Sequence, residues 1–116
     1  DLGHVVIGHL DLVPDTAYHV ELARQGVFLG FDTIGKQEYL PDAKRAELIQ
    51  MLIQEGFEDH IVLACDIALR SQLRTCGGYG YAYLLDSFVP RLEELGIDPA
   101  TIHKLLVENP RRLLAF

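Results

Sequence analysis

Val5-Val6-Ile7-Gly8-His9 and Ile61-Val62-Leu63-Ala64-Cys65-Asp66 decide how this chain folds. Each is a short apolar run that closes on a polar residue able to bind metal. Continuous apolar runs of this length, bounded by turn signals, read as strands of a parallel sheet covered on both faces. In parallel α/β sheets and barrels, ligands gather where strands end and loops begin. A His and an Asp at two such ends are a candidate metal pair, because neutral imidazole and carboxylate both ligate zinc-like ions. The competing view is local: His9 caps a strand and Asp66 caps a turn. Residue type and position alone leave both open.

Outward from these runs, one unit repeats: strand, loop, amphipathic helix, Gly, next strand. Asp15 is a good N-cap for a helix over roughly 16–25, closed by Gly26. Val27-Phe28-Leu29-Gly30-Phe31 is the second strand and ends at Asp32. Pro41 and Asp42 open a second helix, as the helix dipole favours. Ala46, Ile49, Leu52 and Ile53 share its apolar face, while Arg45, Glu47, Gln50 and Gln54 point elsewhere. Gly56 ends it, and the third strand follows. A polar loop from Ile67 to Gly78 leads to a long helix over about 79–95. Its apolar stripe is Tyr81, Leu84, Leu85, Phe88, Leu92 and Leu95, and Pro90 should kink it. A short helix from Asp98-Pro99 to about Glu108 and a last turn from Asn109-Pro110 complete the chain.

The expected fold class is therefore α/β with a parallel sheet. Three strands leave two open edges, which stable proteins pair or cover. A (β/α)8 barrel takes about 250 residues, so the 116 residues here supply roughly three of its eight units. The chain opens at Asp1 without Met, nearly on a strand, and reads as a piece cut from a larger protein. Net charge is −7 with scattered Lys and Arg, which disfavours nucleic acid as a partner. No apolar stretch is long enough to cross a membrane. Cys65 and Cys76 make no disulfide framework, which weakly favours a reducing, cytoplasmic compartment.

Several motifs together carry a resemblance. They are Ile7-Gly8-His9-Leu10-Asp11, Phe31-Asp32-Thr33-Ile34-Gly35-Lys36, Pro41-Asp42 with Lys44-Arg45, Cys65-Asp66, Gly77-Gly78-Tyr79-Gly80-Tyr81 and Glu108-Asn109-Pro110. The chain resembles the phosphotriesterase family of the amidohydrolase superfamily, in its phosphotriesterase-related subgroup. The match runs over essentially the whole chain but reaches only the last part of the family's barrel. The resemblance implies that residues 1–116 are the C-terminal portion of a single (β/α)8 hydrolase domain, strands six to eight. It implies two divalent metal ions, usually zinc, with His9 as the strand-six ligand and Asp66 as the strand-eight ligand. Asp66 would also take the proton as metal-activated hydroxide attacks an ester, lactone or related bond.

The same resemblance marks what is missing. A strand-one His-x-His, a strand-four carboxylated lysine and a strand-five histidine have no counterparts here and would lie upstream. Two ligands do not make a catalytic zinc site, so the chain alone is expected to be inactive. Family members that act on organophosphates carry Asp three residues after the strand-six histidine and His after the strand-seven aspartate. Leu12 and Thr33 stand there, which argues against efficient phosphotriester hydrolysis. Lactonase-type members often carry Arg at the Thr33 position, and that too is absent.

Other residues carry weaker expectations. Asp32 ends a strand and would orient a ligand or substrate, or anchor its loop; Asp11 would act similarly. Arg70, Ser71 and Arg74 lie in the loop after Asp66, where barrel enzymes set specificity; Arg70 would hold a substrate carboxylate or phosphate, or, as the more ordinary reading, stand solvated at the surface. His4, His19, His60 and His103 read as structural or surface residues. Tyr79 and Tyr81 would line the pocket mouth or pack the helix. Partners implied are a small-molecule substrate, the upstream remainder of the barrel and, by resemblance, a second copy in a homodimer. Competing expectations are a non-catalytic binding module on the same fold and a stand-alone α/β half-barrel that dimerises through its edges.

Overall fold

Phe28-Leu29-Gly30-Phe31 is apolar from end to end, so it belongs where both faces are covered. In the computed structural model, which describes residues 1–115, it forms the central strand β2 (Phe28–Phe31), buried at every position. β1 (Val6–Ile7) and β3 (Ile61–Leu63) flank it in the order β1-β2-β3, all parallel. Val6 pairs with Phe28 and Ile7 with Leu29; on the other side Leu29 pairs with Ile61 and Phe31 with Leu63. The expected alternation of strand and helix is present.

The strands are shorter than their apolar runs. On the β1 side the ladder gives way to a side chain: the His9 N–H donates to Asp32 Oδ1 at 2.9 Å. On the β3 side backbone bonding continues past the strand. The Ala64 N–H donates to the Phe31 carbonyl at 3.0 Å, and the Ala64 carbonyl accepts from the Ile34 N–H at 3.2 Å.

Helices α1 (Thr16–Arg24) and α2 (Asp42–Gln54) connect the strands. The Asp15 carboxylate caps α1 by accepting from the Tyr18 N–H at 3.1 Å. The core gathers between sheet and helices around Leu29, Phe31, Ile49, Leu52, Ile61, Phe88, Leu92 and Leu105, all without solvent exposure. Arg45 corrects the sequence expectation. It was assigned to the outer side of α2 and is instead completely buried, as is Asp42 next to its N-terminus.

The C-terminal third also departs from expectation. Two 3₁₀ turns, Arg70–Gln72 and Arg74–Cys76, shape the loop after β3. The long helix does not start at Tyr79. A π turn at Leu84–Phe88 opens it and leads into α3 (Val89–Glu94). The wider turn accommodates Pro90, which has no N–H to give to an ordinary α-helical bond. The same device recurs: α4 (Pro99–His103), a π turn at Lys104–Glu108, then α5 (Asn109–Leu114) carrying Pro110. The expected break at Asn109-Pro110 is thus a continuous helical path. Phe88 and Leu92 of the expected stripe are fully buried, but Tyr81 precedes the helix and Leu85 falls within the π turn, and these two are 70% and 58% exposed. Tyr79 and Tyr83 pack against each other instead, rings edge to face at 5.4 Å.

Candidate metal centre

His9 and Asp66 share an unusual backbone. Among the described residues they are the two non-glycine positions with positive φ, 58° for His9 and 46° for Asp66. A side chain at such angles crowds its own backbone, and such strain persists where the surroundings over-determine it. Both residues follow the apolar runs, at the carboxyl-end side of the sheet. Both side chains are solvent-accessible, 62% and 40%.

Asp32, at the end of β2, grips His9 twice. Its Oδ1 accepts from the His9 backbone N–H at 2.9 Å and from Nδ1 at 2.8 Å. An ionised carboxylate only accepts, so the proton sits on His9 Nδ1 and the lone pair of the neutral ring is on Nε2. This is how metal-binding histidines are commonly held: one nitrogen is anchored to a carboxylate, the other turned to the ion. The same hydrogen bond raises the His9 pKa above its usual value, followed by the charge of Asp32 and, more weakly, those of Asp66 and Asp11. Gly8 makes the close approach possible, since a Cβ there would lie 2.8 Å from Asp32 Oδ2.

Asp66 has a partner that the sequence reading passed over. Lys36 Nζ hydrogen-bonds and ion-pairs with Asp66 Oδ2. Lys36 is buried and its ammonium also lies 5.7 Å from the centre of the Tyr39 ring. The hydrogen bond to Asp66 holds the Lys36 pKa above its ordinary value. Lys36 had been noted only as part of the Asp32–Lys36 motif. Its reach back to Asp66 depends on the fold of the loop after β2, which carries no local sequence signal.

Asp11 is the second residue underestimated from sequence. It is fully buried and ion-paired with Arg45, Nε to Oδ2 at 2.6 Å. Thr33 joins the pair: its N–H donates to Asp11 Oδ2 at 3.2 Å, its hydroxyl donates to the same oxygen and accepts from Arg45 Nη2 at 2.8 Å. Thr33 is therefore fully engaged in structure.

The loop after β3 places its candidate residues differently. Arg70 is exposed and lines a shallow cleft of about 160 Å³ with Ile67, Leu69, Leu73 and Tyr81. Arg74 is tied to structure, donating to Asp86 Oδ2 at 2.5 Å and to the Tyr79 carbonyl at 3.3 Å. Gly78 lets the loop close on itself; a Cβ there would fall 2.2 Å from the Gln72 backbone. The other histidines serve structure: His19 Nε2 donates to the Leu10 carbonyl at 3.0 Å, and His60 Nδ1 to that of Val27 at 3.1 Å.

His9 and Asp66 supply two donor side chains. Among the described residues no group of three or more His, Cys, Asp or Glu converges. Zinc sites take three or four protein ligands. His9, with Nδ1 anchored on Asp32, and Asp66 are thus two candidate donors among the described residues, fewer than a zinc site takes.

Parallel βα units with polar, strained residues beyond the strand ends define the class: an α/β domain with a parallel sheet. Comparison with known proteins makes the assignment specific. The sequence model of the Phosphotriesterase family matches residues 1–114, and the chain belongs to that family. It is 40% identical over 110 residues to the phosphotriesterase homology protein of Escherichia coli (strain K12), covering 95% of this chain and 38% of that protein. The crystal structure of that protein, with phosphate in its active site, superimposes with a TM-score of 0.91 over the same shares of the two chains. N-acetyltaurine hydrolase of Salmo salar is 33% identical, covering 100% of this chain and 36% of that one. A lactonase from Listeria monocytogenes superimposes with a TM-score of 0.92 at 36% identity, covering 99% of this chain and 37% of that one. The chain thus spans well under half the length of these relatives.

Proposed function

We propose that this chain is the C-terminal portion of a metal-dependent hydrolase barrel, in which His9 and Asp66 are metal ligands. The observation that carries this is the pair of left-handed residues at the strand ends, one of them with its Nδ1 anchored on Asp32. The half-complete donor set and the two sheet edges left open at β1 and β3 fit a chain that works with the remaining strands of a barrel.

His9 would hold a divalent ion, most simply zinc, through Nε2, and Asp66 through its carboxylate. Bound there together with ligands from the rest of the barrel, such ions lower the pKa of water and polarise the oxygen under attack. The chain's own residues do the rest. Asp32 keeps the proton on His9 Nδ1 and fixes the ring. The Asp66 carboxylate takes up a proton during the reaction. Lys36 neutralises Asp66 before substrate arrives and holds its orientation. Arg70, exposed on the loop after β3, is positioned to meet an anionic group on the substrate.

The bond cleaved is a carboxylic ester, lactone or small amide. Support comes from the lactonase and N-acetyltaurine hydrolase among the relatives. The test is steady-state hydrolysis of a lactone, aryl-ester and N-acyl amine panel by the intact protein carrying this chain. Asp66→Asn should lower kcat by at least about a hundredfold, general acid–base groups contributing 10²–10⁴. Undiminished turnover in that variant would contradict the assignment.

A further inference from the structure

The buried guanidinium of Arg45 has five N–H donors, and every one is used. Nε donates to Asp11 Oδ2 at 2.6 Å. Nη1 donates to the Leu40 carbonyl and to Asp42 Oδ1 at 3.0 Å. Nη2 donates to Thr33 Oγ1 at 2.8 Å and to the Lys36 carbonyl at 3.2 Å. The acceptors belong to the loop after β1, the loop after β2 and the start of α2. Asp42 extends the set to the segment after β3, accepting from the Tyr83 hydroxyl at 2.7 Å and from Gln37 Nε2 at 2.7 Å. Arg45 therefore joins the connections that follow β1 and β2, and through Asp42 reaches the segment after β3.

Three of these five attachment points neighbour a residue of the candidate centre. Asp11 is two residues beyond His9. Thr33 adjoins Asp32, which grips His9. Lys36, whose carbonyl Arg45 holds, reaches Asp66 with its ammonium. We propose that Arg45 is a positioning residue of the metal centre: it sets the relative placement of His9, Asp32 and Asp66 without touching any of them. This rests on the reading of His9 and Asp66 as ligands. Lysine cannot replace it, because a point-like ammonium with three donors cannot span acceptors on separate loops.

The experiment uses the intact protein carrying this chain, as wild type, Arg45→Lys, the milder Thr33→Val and Asn109→Ala. Asn109 is the control: it is equally buried, but bonds the Glu58 and Ile61 carbonyls at the opposite end of β3. Amide hydrogen exchange is read on metal-free protein, and zinc affinity by competition with a chromophoric chelator. Arg45→Lys should speed exchange at His9, Thr33 and Gly35 by about tenfold or more and leave Phe28 and Ala64 unchanged. It should weaken zinc binding by about 10–100-fold, as loss of groups supporting metal ligands typically does. Asn109→Ala should move neither quantity at these positions. If Arg45→Lys fails to fold, Thr33→Val should give the same local pattern more weakly. Exchange rising uniformly over the sheet, or zinc affinity falling equally in Asn109→Ala, would reduce Arg45 to a structural role and overturn the proposal. If the exchange pattern appears but wild type takes up no zinc, the loop-joining role stands and the metal assignment falls.

Discussion

Asp32 acts on His9 through both the backbone and the ring, so its removal should be felt as lost metal affinity rather than lost fold. Asp32→Ala is expected to weaken zinc binding by about 10–100-fold, measured by chelator competition, with a far-ultraviolet circular dichroism spectrum like wild type. His19 gives a prediction about pH. Its Nε2 donates to the Leu10 carbonyl, while Nδ1 is buried with no hydrogen-bond partner. Burial pushes its pKa below the ordinary 6.5. A depressed folded-state pKa means that the unfolded chain takes up the proton first as pH falls. Stability tied to His19 is thus present above about pH 6.5 and is lost as pH falls toward the folded-state value. His9, with its raised pKa, works in the opposite sense, so the comparison must isolate His19. The urea midpoint should drop more between pH 7.5 and 5.5 in wild type than in His19→Gln, which keeps a donor for Leu10; equal drops would remove His19 as the cause. At this scale His9 and Asp66 stand out in the sequence as candidates, because metal-capable residues closing apolar runs are a local signal, and both take up left-handed backbone there. Arg45, Asp11 and Lys36 were not legible as a site. The Asp11–Arg45 and Lys36–Asp66 pairs join residues 34 and 30 positions apart, and a charged residue on an amphipathic helix gives no local sign that the loops after β1 and β2 close over it.

At the level of elements, the boundaries set by caps and glycines follow the sequence well. Asp15 caps α1, Pro41-Asp42 opens α2 and Asp98 caps α4, accepting from the Thr101 N–H at 2.7 Å. The expected stripe of the long helix holds from Leu84 through Phe88, Leu92 and Leu95, which are buried or packed against the core. Its misses are at the start: Tyr81 precedes the helix and Leu85 lies within the π turn, and both are exposed. The docking of α5 onto the sheet rests on Asn109, whose Nδ2 donates to the Glu58 and Ile61 carbonyls at 2.7 Å each. Asn109→Ala leaves buried carbonyls unpaired and should lower unfolding free energy by roughly 1–3 kcal/mol in urea titrations. A change under about 0.5 kcal/mol would mean that water replaces the amide there.

For the whole molecule, three parallel βα units with an exposed β1 edge match part of a larger relative, 38% of the phosphotriesterase homology protein's chain. Val5 and Val6 are 37% and 44% exposed, unusual for residues of a parallel sheet covered on both faces. The fold class and the partial barrel were legible because strand, helix and glycine stop recur in order and span far fewer residues than a closed barrel needs. What completes the barrel leaves no trace within these residues. The most direct test is to count metal ions by native mass spectrometry on the intact protein carrying this chain, purified without chelator, beside a His9→Asn, Asp66→Asn double variant. Two divalent ions per full-length subunit in wild type, with one or both lost in the variant, is the predicted result. An unchanged metal count in the variant would show that His9 and Asp66 are not ligands and would contradict the proposed centre.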